Sequence, residues 1–236
     1  MATGTLFLIP TTLGDSTLAA IIPSAVLVRV RMLEYFVAEN AKTARAYLKQ
    51  VGTAKPLQEL RIATLDEHTP EKAIADLAAP LRAGHDLGVL SEAGCPGIAD
   101  PGAKLVLYAH RHGLRVMPLV GPSSILLALM ASGLNGQNFV FHGYLPVADI
   151  ERAKTLRELE KQSRRLKQTQ IFIETPYRNM KLVQSVLETC ASATLLCVAA
   201  ELTLAGEDIR TMTVAAWKKT PPQIDRRPAL FLMLAT

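Results

Sequence analysis

One hydroxyl and two carboxylates, those of Ser91, Glu92 and Asp100, share the stretch 91–102 with three glycines and two prolines. Such groups suit a polar ligand: the hydroxyl donates and accepts, and the carboxylates accept from hydroxyl or ammonium groups. The prolines fix φ and remove backbone donors, while the glycines let the backbone approach a ligand closely. The plainer reading is a tight connector in which Glu92 is a solvent-facing acid. Three more clusters carry comparable groups: Glu39-Asn40-Ala41-Lys42, Asp66-Glu67-His68-Thr69 and Gly121-Pro122-Ser123-Ser124. Ser123 and Ser124 offer hydroxyls and amides where a helix starts, which is an anion site or simply an N-cap.

Each cluster follows a short apolar run that must position it. The run 87–90, Leu-Gly-Val-Leu, reads as a strand buried on both faces. A loop at the carboxyl end of such a strand is where open α/β sheets bind ligands. Further strands are expected over 5–10, 35–38, 60–65 and 115–120, and helices over 23–32, 42–51, 72–83 and 103–112. Pro23 fits a first helical turn, and Gly52 and Gly113 fit helix ends. Thr69 is expected to cap the helix over 72–83, with Pro70 at its first position. Pro10 ends the first strand by removing a ladder donor. The turn after it, Thr11-Thr12-Leu13-Gly14-Asp15, is not the GxGxxG of a dinucleotide fold. Alternating strands and helices imply βαβ units and a mostly parallel sheet, with the polar strand ends on one edge forming one crevice.

After Gly121 the pattern changes. Helices are expected over 125–132, 149–168 and 177–190, and strands over 139–142, 169–174, 194–200, 208–214 and 229–234. Consecutive strands without a helix between them imply a mixed sheet. The expected fold is therefore α/β in two domains, 1–120 with a mostly parallel sheet and 121–236 with a mixed sheet, each flanked by helices.

The chain has 236 residues, 49% of them hydrophobic and 5% aromatic, so its cores must be built mainly from Leu, Val, Ile and Ala. No apolar run reaches the ~18 residues of a membrane span, and the start of the chain lacks the basic and apolar regions of a signal peptide. Cys95, Cys190 and Cys197 form no CxxC pair or Cys/His cluster, so neither a metal site nor a disulfide framework is expected. A reducing cytoplasm is the expected compartment. The formal charge of +5 permits an anionic partner such as RNA without requiring one.

Several separated motifs resemble the tetrapyrrole (corrin/porphyrin) methylases, and among them the small-subunit ribosomal RNA cytidine 2′-O-methyltransferases. The resemblance is carried by Leu6-Phe7-Leu8-Ile9-Pro10-Thr11 with Gly14, Ala38-Glu39-Asn40 and Glu67-His68. It continues through Ser91-Glu92-Ala93-Gly94-Cys95-Pro96-Gly97, Asp100-Pro101-Gly102 and the stretch 118–124. Gly143-Tyr144-Leu145-Pro146, Glu174-Thr175-Pro176-Tyr177-Arg178 and Ala200-Glu201-Leu202-Thr203 complete it. Four positions depart from the pattern. Asn40, Ala41 and Lys42 stand where the family has Asp, Thr and Arg, and Glu92 stands where it has Asp, one methylene shorter. The helical C-terminal segment common in the ribosomal RNA branch has no counterpart before Thr236.

The resemblance implies S-adenosyl-L-methionine in a cleft between the two domains, a homodimer, and ribosomal RNA or the small ribosomal subunit as partner, with no membrane. Pro10, Ser91, Glu92, Ala93, Cys95, Ser123 and Ser124 would hold the cofactor from the first half, Cys95 through its backbone rather than as a nucleophile. Thr175, Leu202 and Ala229 match cofactor-flanking positions of the second half, where strand-end packing is the plainer role. The implied chemistry is an SN2 methyl transfer from a sulfonium. It calls for no metal and is accelerated mainly by alignment. A hydroxyl acceptor must lose a proton, and Glu39 and His68 are the candidate bases. The alternative for Glu39 is an ion pair with Lys42 or Arg45, and for His68 a structural hydrogen bond. Lys42, Tyr177 and Arg178 are candidate substrate contacts. The segment 151–168 sets Arg152, Lys154, Arg157, Lys161, Arg164, Arg165 and Lys167 against Glu151, Glu158 and Glu160. It could grip phosphates or be a solvated face. A methylase of a tetrapyrrole, or a binding module without turnover, are the alternatives.

Overall fold

A computed structural model of the chain describes residues 3–66 and 68–235. Glu67, singled out above beside His68, lies outside the described residues. The chain divides into two compact units, the first ending at Ser123 and the second starting at Ser124.

The first unit runs β1 (Thr5–Ile9), α1 (Leu18–Ile21), α2 (Ser24–Arg31), β2 (Tyr35–Ala38), α3 (Ala41–Val51), β3 (Arg61–Thr64), α4 (Glu71–Leu77), α5 (Ala79–Arg82), β4 (Leu87–Leu90), α6 (Ala103–Arg111) and β5 (Arg115–Pro118). Its sheet has the order β3-β2-β4-β1-β5, and every pairing is parallel. The inner strands β2, β4 and β1 are apolar on both faces because both are covered, whereas the edge strands β3 and β5 are partly exposed. Phe7, Ile9, Phe36, Ala38 and Leu90 pack with Ile22, Val26, Val30 and Leu48 of the helices that follow β1 and β2. Leu6, Val37, Leu87 and Val89 point the other way, onto Ile74, Leu81, Leu105 and Ala109. Each such side chain, fully buried, contributes about 1.5–3 kcal/mol.

This alternation follows from right-handed crossovers. The chain steps from β1 to β2 to β3 in one direction across the sheet, then from β4 to β5 in the other. The neighbours β1 and β4 therefore send their following loops toward opposite faces. That is the switch point at which open α/β sheets leave a crevice.

Helix ends follow local chemistry, with exceptions. Asn40 caps α3, its Oδ1 accepting from the Lys42 N–H at 2.9 Å, and Gly52 (φ 73°) ends it. The helix expected over 72–83 is two helices broken at Ala78, since Pro80 cannot donate to the ladder. Thr69 does not cap it. Pro70 holds the cap position, and the Thr69 hydroxyl closes a turn with Asp66, donating to Oδ1 at 2.8 Å and accepting from the Asp66 N–H at 2.9 Å. The short α1 was not anticipated; four residues ending just before Pro23 show no period.

The second unit runs α7 (Ser124–Ser132), β6 (Phe139–Tyr144), α8 (Asp149–Leu166), β7 (Thr169–Ile173), a 3₁₀ turn (Pro176–Arg178), α9 (Asn179–Thr189), β8 (Leu195–Ala200), β9 (Asp208–Thr213), α10 (Val214–Lys219) and β10 (Ala229–Leu234). The sheet order is β6-β7-β10-β8-β9. Only the pair β6–β7 is parallel, so the sheet is mixed. Trp217 is fully buried and donates its indole N–H to the Leu196 carbonyl at 2.8 Å. Phe172 and Phe231 stack with centroids 6.0 Å apart. β6 continues to Tyr144 through an irregularity after Phe141, where Gly143 takes φ 67°. The helix expected from 177 opens with the 3₁₀ turn, and α10 was not anticipated at all. No helix among the described residues is long and apolar enough to cross a membrane.

Candidate functional site

In the first unit the loops after β1, β4 and β5 are stitched to one another. The Gly94 carbonyl accepts from the Thr11 N–H and from the Ser91 hydroxyl, both at 2.9 Å. The Thr11 hydroxyl donates to the Ser91 carbonyl at 3.3 Å, and the Cys95 thiol to the Pro122 carbonyl at 3.4 Å. Gly94 has φ 75°, and a Cβ there would sit 3.1 Å from Leu13 Cδ2. Gly121 lies so close to Pro10 that a Cβ would approach Pro10 Cγ to 2.2 Å. Pro10 and Ser91 are thus buried in the stitching and offer a ligand chiefly their backbone, while Glu92 and Ala93 are exposed beside them. Burial pushes the Cys95 thiol pKa up, which disfavours the thiolate.

Two pockets flank this loop cluster. One, of about 190 Å³, lies on the α3 side and is lined by Thr11, Ala38, Thr43, Tyr47, Ser91 and Glu92 among others. The Tyr47 hydroxyl donates to the Pro10 carbonyl at 3.1 Å, and burial raises its pKa to about 12. The Thr43 hydroxyl donates to Glu92 Oε1 at 2.7 Å. The other pocket, of about 370 Å³, is lined by Leu65, Asp66, Asp100, Gly102 and Lys104 with their neighbours.

Asp100 joins these features. Burial, then the negative charge of Glu39, raise its pKa to about 6. The Glu92 backbone N–H opposes the shift, while the charge of Glu92 and a hydrogen bond with the Glu39 carboxyl add to it. Among the described residues, Glu39 makes no salt bridge with Lys42 or Arg45, and its charge bears on Asp100 instead. Sequence alone assigns Asp100 no catalytic role. Its acidity is lowered chiefly by burial and then by Glu39, the residue just after β2, and no local signal reveals either. His68 is exposed, and its backbone N–H donates to Asp66 Oδ1 at 3.0 Å. Lys42 is exposed in the first turn of α3. Ser123 and Ser124, both half-buried, stand where α7 begins.

In the second unit, β10 is antiparallel to both β7 and β8, so its first residue, Ala229, shares a sheet edge with the residues that follow β7 and β8. Thr175 and Leu202 are among these, and the three are thereby brought to one edge. The buried Glu174 carboxylate organises the β7 end. Its Oε1 accepts from the Thr175 N–H at 2.7 Å and from Arg178 Nε at 2.9 Å and Nη2 at 2.7 Å. Leu202 is buried between two left-handed residues, Glu201 (φ 51°) and Thr203 (φ 69°). The Glu201 carboxylate accepts from Arg227 Nη2 at 2.8 Å. Strain of this kind persists only where surroundings enforce it, and it clusters at binding sites.

Comparisons with known proteins give the family. The family profile of the tetrapyrrole (corrin/porphyrin) methylases matches residues 13–217. The ribosomal RNA small subunit methyltransferase I of Mesorhizobium japonicum is 33% identical over 214 residues, which cover 89% of this chain and 68% of that one. The protein of the same name from Pseudomonas aeruginosa is 31% identical over 215 residues, 91% of this chain and 72% of that one. Among solved structures, the methyltransferase CobJ has a TM-score of 0.64 at 15% identity, covering all of this chain and 95% of that one. The uroporphyrin-III-C-methyltransferase of Thermus thermophilus has a TM-score of 0.54 at 21% identity, covering 98% of this chain and 92% of that one. At these identities the two structures speak for the fold. The chain belongs to the tetrapyrrole (corrin/porphyrin) methylases and is an S-adenosylmethionine-dependent methyltransferase similar to the small-subunit ribosomal RNA enzymes of that family.

Proposed function

We propose that the protein transfers a methyl group from S-adenosylmethionine to a ribose 2′-hydroxyl of small-subunit ribosomal RNA. The acceptor rests on the relatives, which are named as ribosomal RNA small subunit methyltransferases. The mechanism rests on the place of Asp100, partly buried in the wall of a pocket at the switch-point edge, where burial and the charge of Glu39 raise its pKa to about 6. A base with a pKa near the working pH serves proton abstraction best.

The residues fit the cofactor. The loops after β1 and β4 are fixed by each other, so the backbone they present is pre-ordered, and Glu92 stands exposed at their rim beside a pocket with both apolar and hydroxyl lining. Pro10, Ser91, Glu92, Ala93, Cys95, Ser123 and Ser124 would hold it, with Thr175, Leu202 and Ala229 assigned to the same ligand on the resemblance. When bound, it supplies an electrophilic methyl on a sulfonium. The Asp100–Glu39 pair would take the proton of the acceptor hydroxyl as that oxygen receives the methyl group. Alignment supplies most of the acceleration, since effective molarities of about 10⁵ M or more are reached in well-oriented systems. His68 and Lys42, both exposed, are left to orient the acceptor.

The same reading places the protein in the cytoplasm, with its ribosomal partner, and as a homodimer. The test is tritiated methyl transfer onto small ribosomal subunits, with free RNA and tetrapyrroles in parallel. Label in RNA, lost when ribose 2′-hydroxyls are blocked, is expected. Label only in the tetrapyrroles overturns the reading.

A further inference from the structure

At the carboxyl end of the parallel pair β6–β7 stand two tyrosines and an arginine. Tyr144 is 59% exposed and Tyr177 is 68% exposed, unusual for rings of this size in the absence of a partner. The Arg178 guanidinium lies over the Tyr177 ring, 5.2 Å from its centroid, and Tyr144 stands in register with Ile173, the residue before Glu174. Glu174, whose side chain is 2% exposed, binds that guanidinium through two nitrogens. The carboxylate neutralises the charge of Arg178 and fixes its plane. Arg178 is therefore poorly suited to seize a phosphate and well suited to present a flat face.

A second feature leads away from this spot. Asp149, at the start of α8, binds Lys181 of α9 at 2.9 Å, three residues beyond Arg178. From there Ile150, Lys154, Arg157, Lys161 and Arg164 recur at intervals of four and three, so they share one face of α8. That face is exposed, whereas Leu156, Leu159 and Ser163 are buried. Among the described residues, no carboxylate pairs with Lys154, Arg157 or Lys161. Glu160, next to Lys161 in sequence, is bound to the Ala191 N–H at 2.8 Å and to the Thr194 hydroxyl. The stripe from Lys154 to Arg164 is about 15 Å long at ~1.5 Å per residue.

We propose that Tyr144, Tyr177 and Arg178 form a stacking platform for an unpaired nucleobase and that the basic face of α8 carries the adjoining phosphates of the same single strand. Single-stranded RNA is recognised in this way, by bases stacked on aromatic rings and guanidinium planes beside a cationic track. This deepens the RNA reading above and rests on it.

The test measures binding of a fluorescein-labelled single-stranded RNA and of small ribosomal subunits over a range of salt, with S-adenosylmethionine affinity measured alongside. Tyr144→Ala/Tyr177→Ala is expected to weaken RNA binding about ten- to a hundredfold. Tyr144→Phe/Tyr177→Phe keeps wild-type binding, which separates stacking from misfolding. Lys154→Gln/Arg157→Gln/Lys161→Gln lowers the slope of log affinity against log salt by about 2, at ~0.7 per phosphate on a single strand. Cofactor affinity stays unchanged in all three. If the wild type methylates RNA and the alanine and glutamine variants bind it equally well, the platform is wrong and the acceptor reading stands. If the wild type neither binds nor methylates RNA, both fail. Loss of tetrapyrrole binding in the alanine pair, with RNA binding intact, also overturns the platform.

Discussion

Glu39 and Asp100, which follow different strands, β2 and β4, face each other as like charges. Asp100, ordinarily near 3.8, is raised to about 6. Methyl transfer at saturating cofactor should therefore rise with pH through about 6 and level off above it. In Asp100→Asn this limb disappears and kcat falls by about 10²–10⁴. A pH–rate profile of the two proteins decides this.

The same shift has a sign for stability. A carboxyl whose pKa is higher in the folded than in the unfolded state contributes stability below about 4, and that contribution is lost as pH rises through about 6. Asp100→Asn should thus be more thermostable than wild type at pH 7, with the difference vanishing near pH 4. Melting curves at the two pH values measure it. Improved stability with lost turnover is the signature of a strained site.

Glu174 collects the Thr175 N–H and the Arg178 guanidinium on one buried oxygen. Glu174→Gln keeps the shape but removes the charge and swaps an acceptor for donors facing Arg178. A loss of roughly 2–4 kcal/mol is expected in urea unfolding, because hydrogen bonds to buried charges exceed neutral ones.

Gly121 has no left-handed φ, yet its Cβ would overlap Pro10 Cγ at 2.2 Å and Cβ at 2.4 Å. Gly121→Ala must push the loops after β5 and β1 apart. A destabilisation of about 1–3 kcal/mol is expected, as for overpacked cores. Calorimetry should also show weaker S-adenosylmethionine binding, since the same loops carry Ser123 and Pro10. An unchanged melting temperature would show that this close approach is soft.

The single tryptophan, Trp217, is wholly buried in the second unit and bound to the Leu196 carbonyl. Its emission should be blue-shifted in the native protein and should move to the red only when this unit opens. Comparing that transition with far-UV circular dichroism tests whether the two units unfold together.

Much of the architecture was legible. The strands over 35–38, 87–90 and 229–234 were read to the residue, because apolar runs there stop abruptly at polar or turn-forming neighbours. Elements of four to six residues such as α1 and α10 were missed, since one helical turn leaves no period to detect. Thr69 was misread because a hydroxyl before a proline can cap a helix or close a turn, and Asp66 three residues back decides which. At the site, the loops were visible in their glycines and prolines. The Asp100–Glu39 pairing and the Glu174–Arg178 clamp differ in this respect. The first depends on strand order, which no window of sequence contains, whereas the second spans one turn and was open to reading.

Strand order also governs how the protein is made. β1 pairs only with β4 and β5, so its apolar residues have no strand beside them until residues 87–90 have been synthesised. At about 5–20 residues per second, the interval lasts roughly four to sixteen seconds. During that time Leu6, Phe7 and Ile9 have no strand on either side, and Phe7 and Ile9 can pack only on the helices that follow β1 and β2. The first strand made is thus the last to gain both its neighbours.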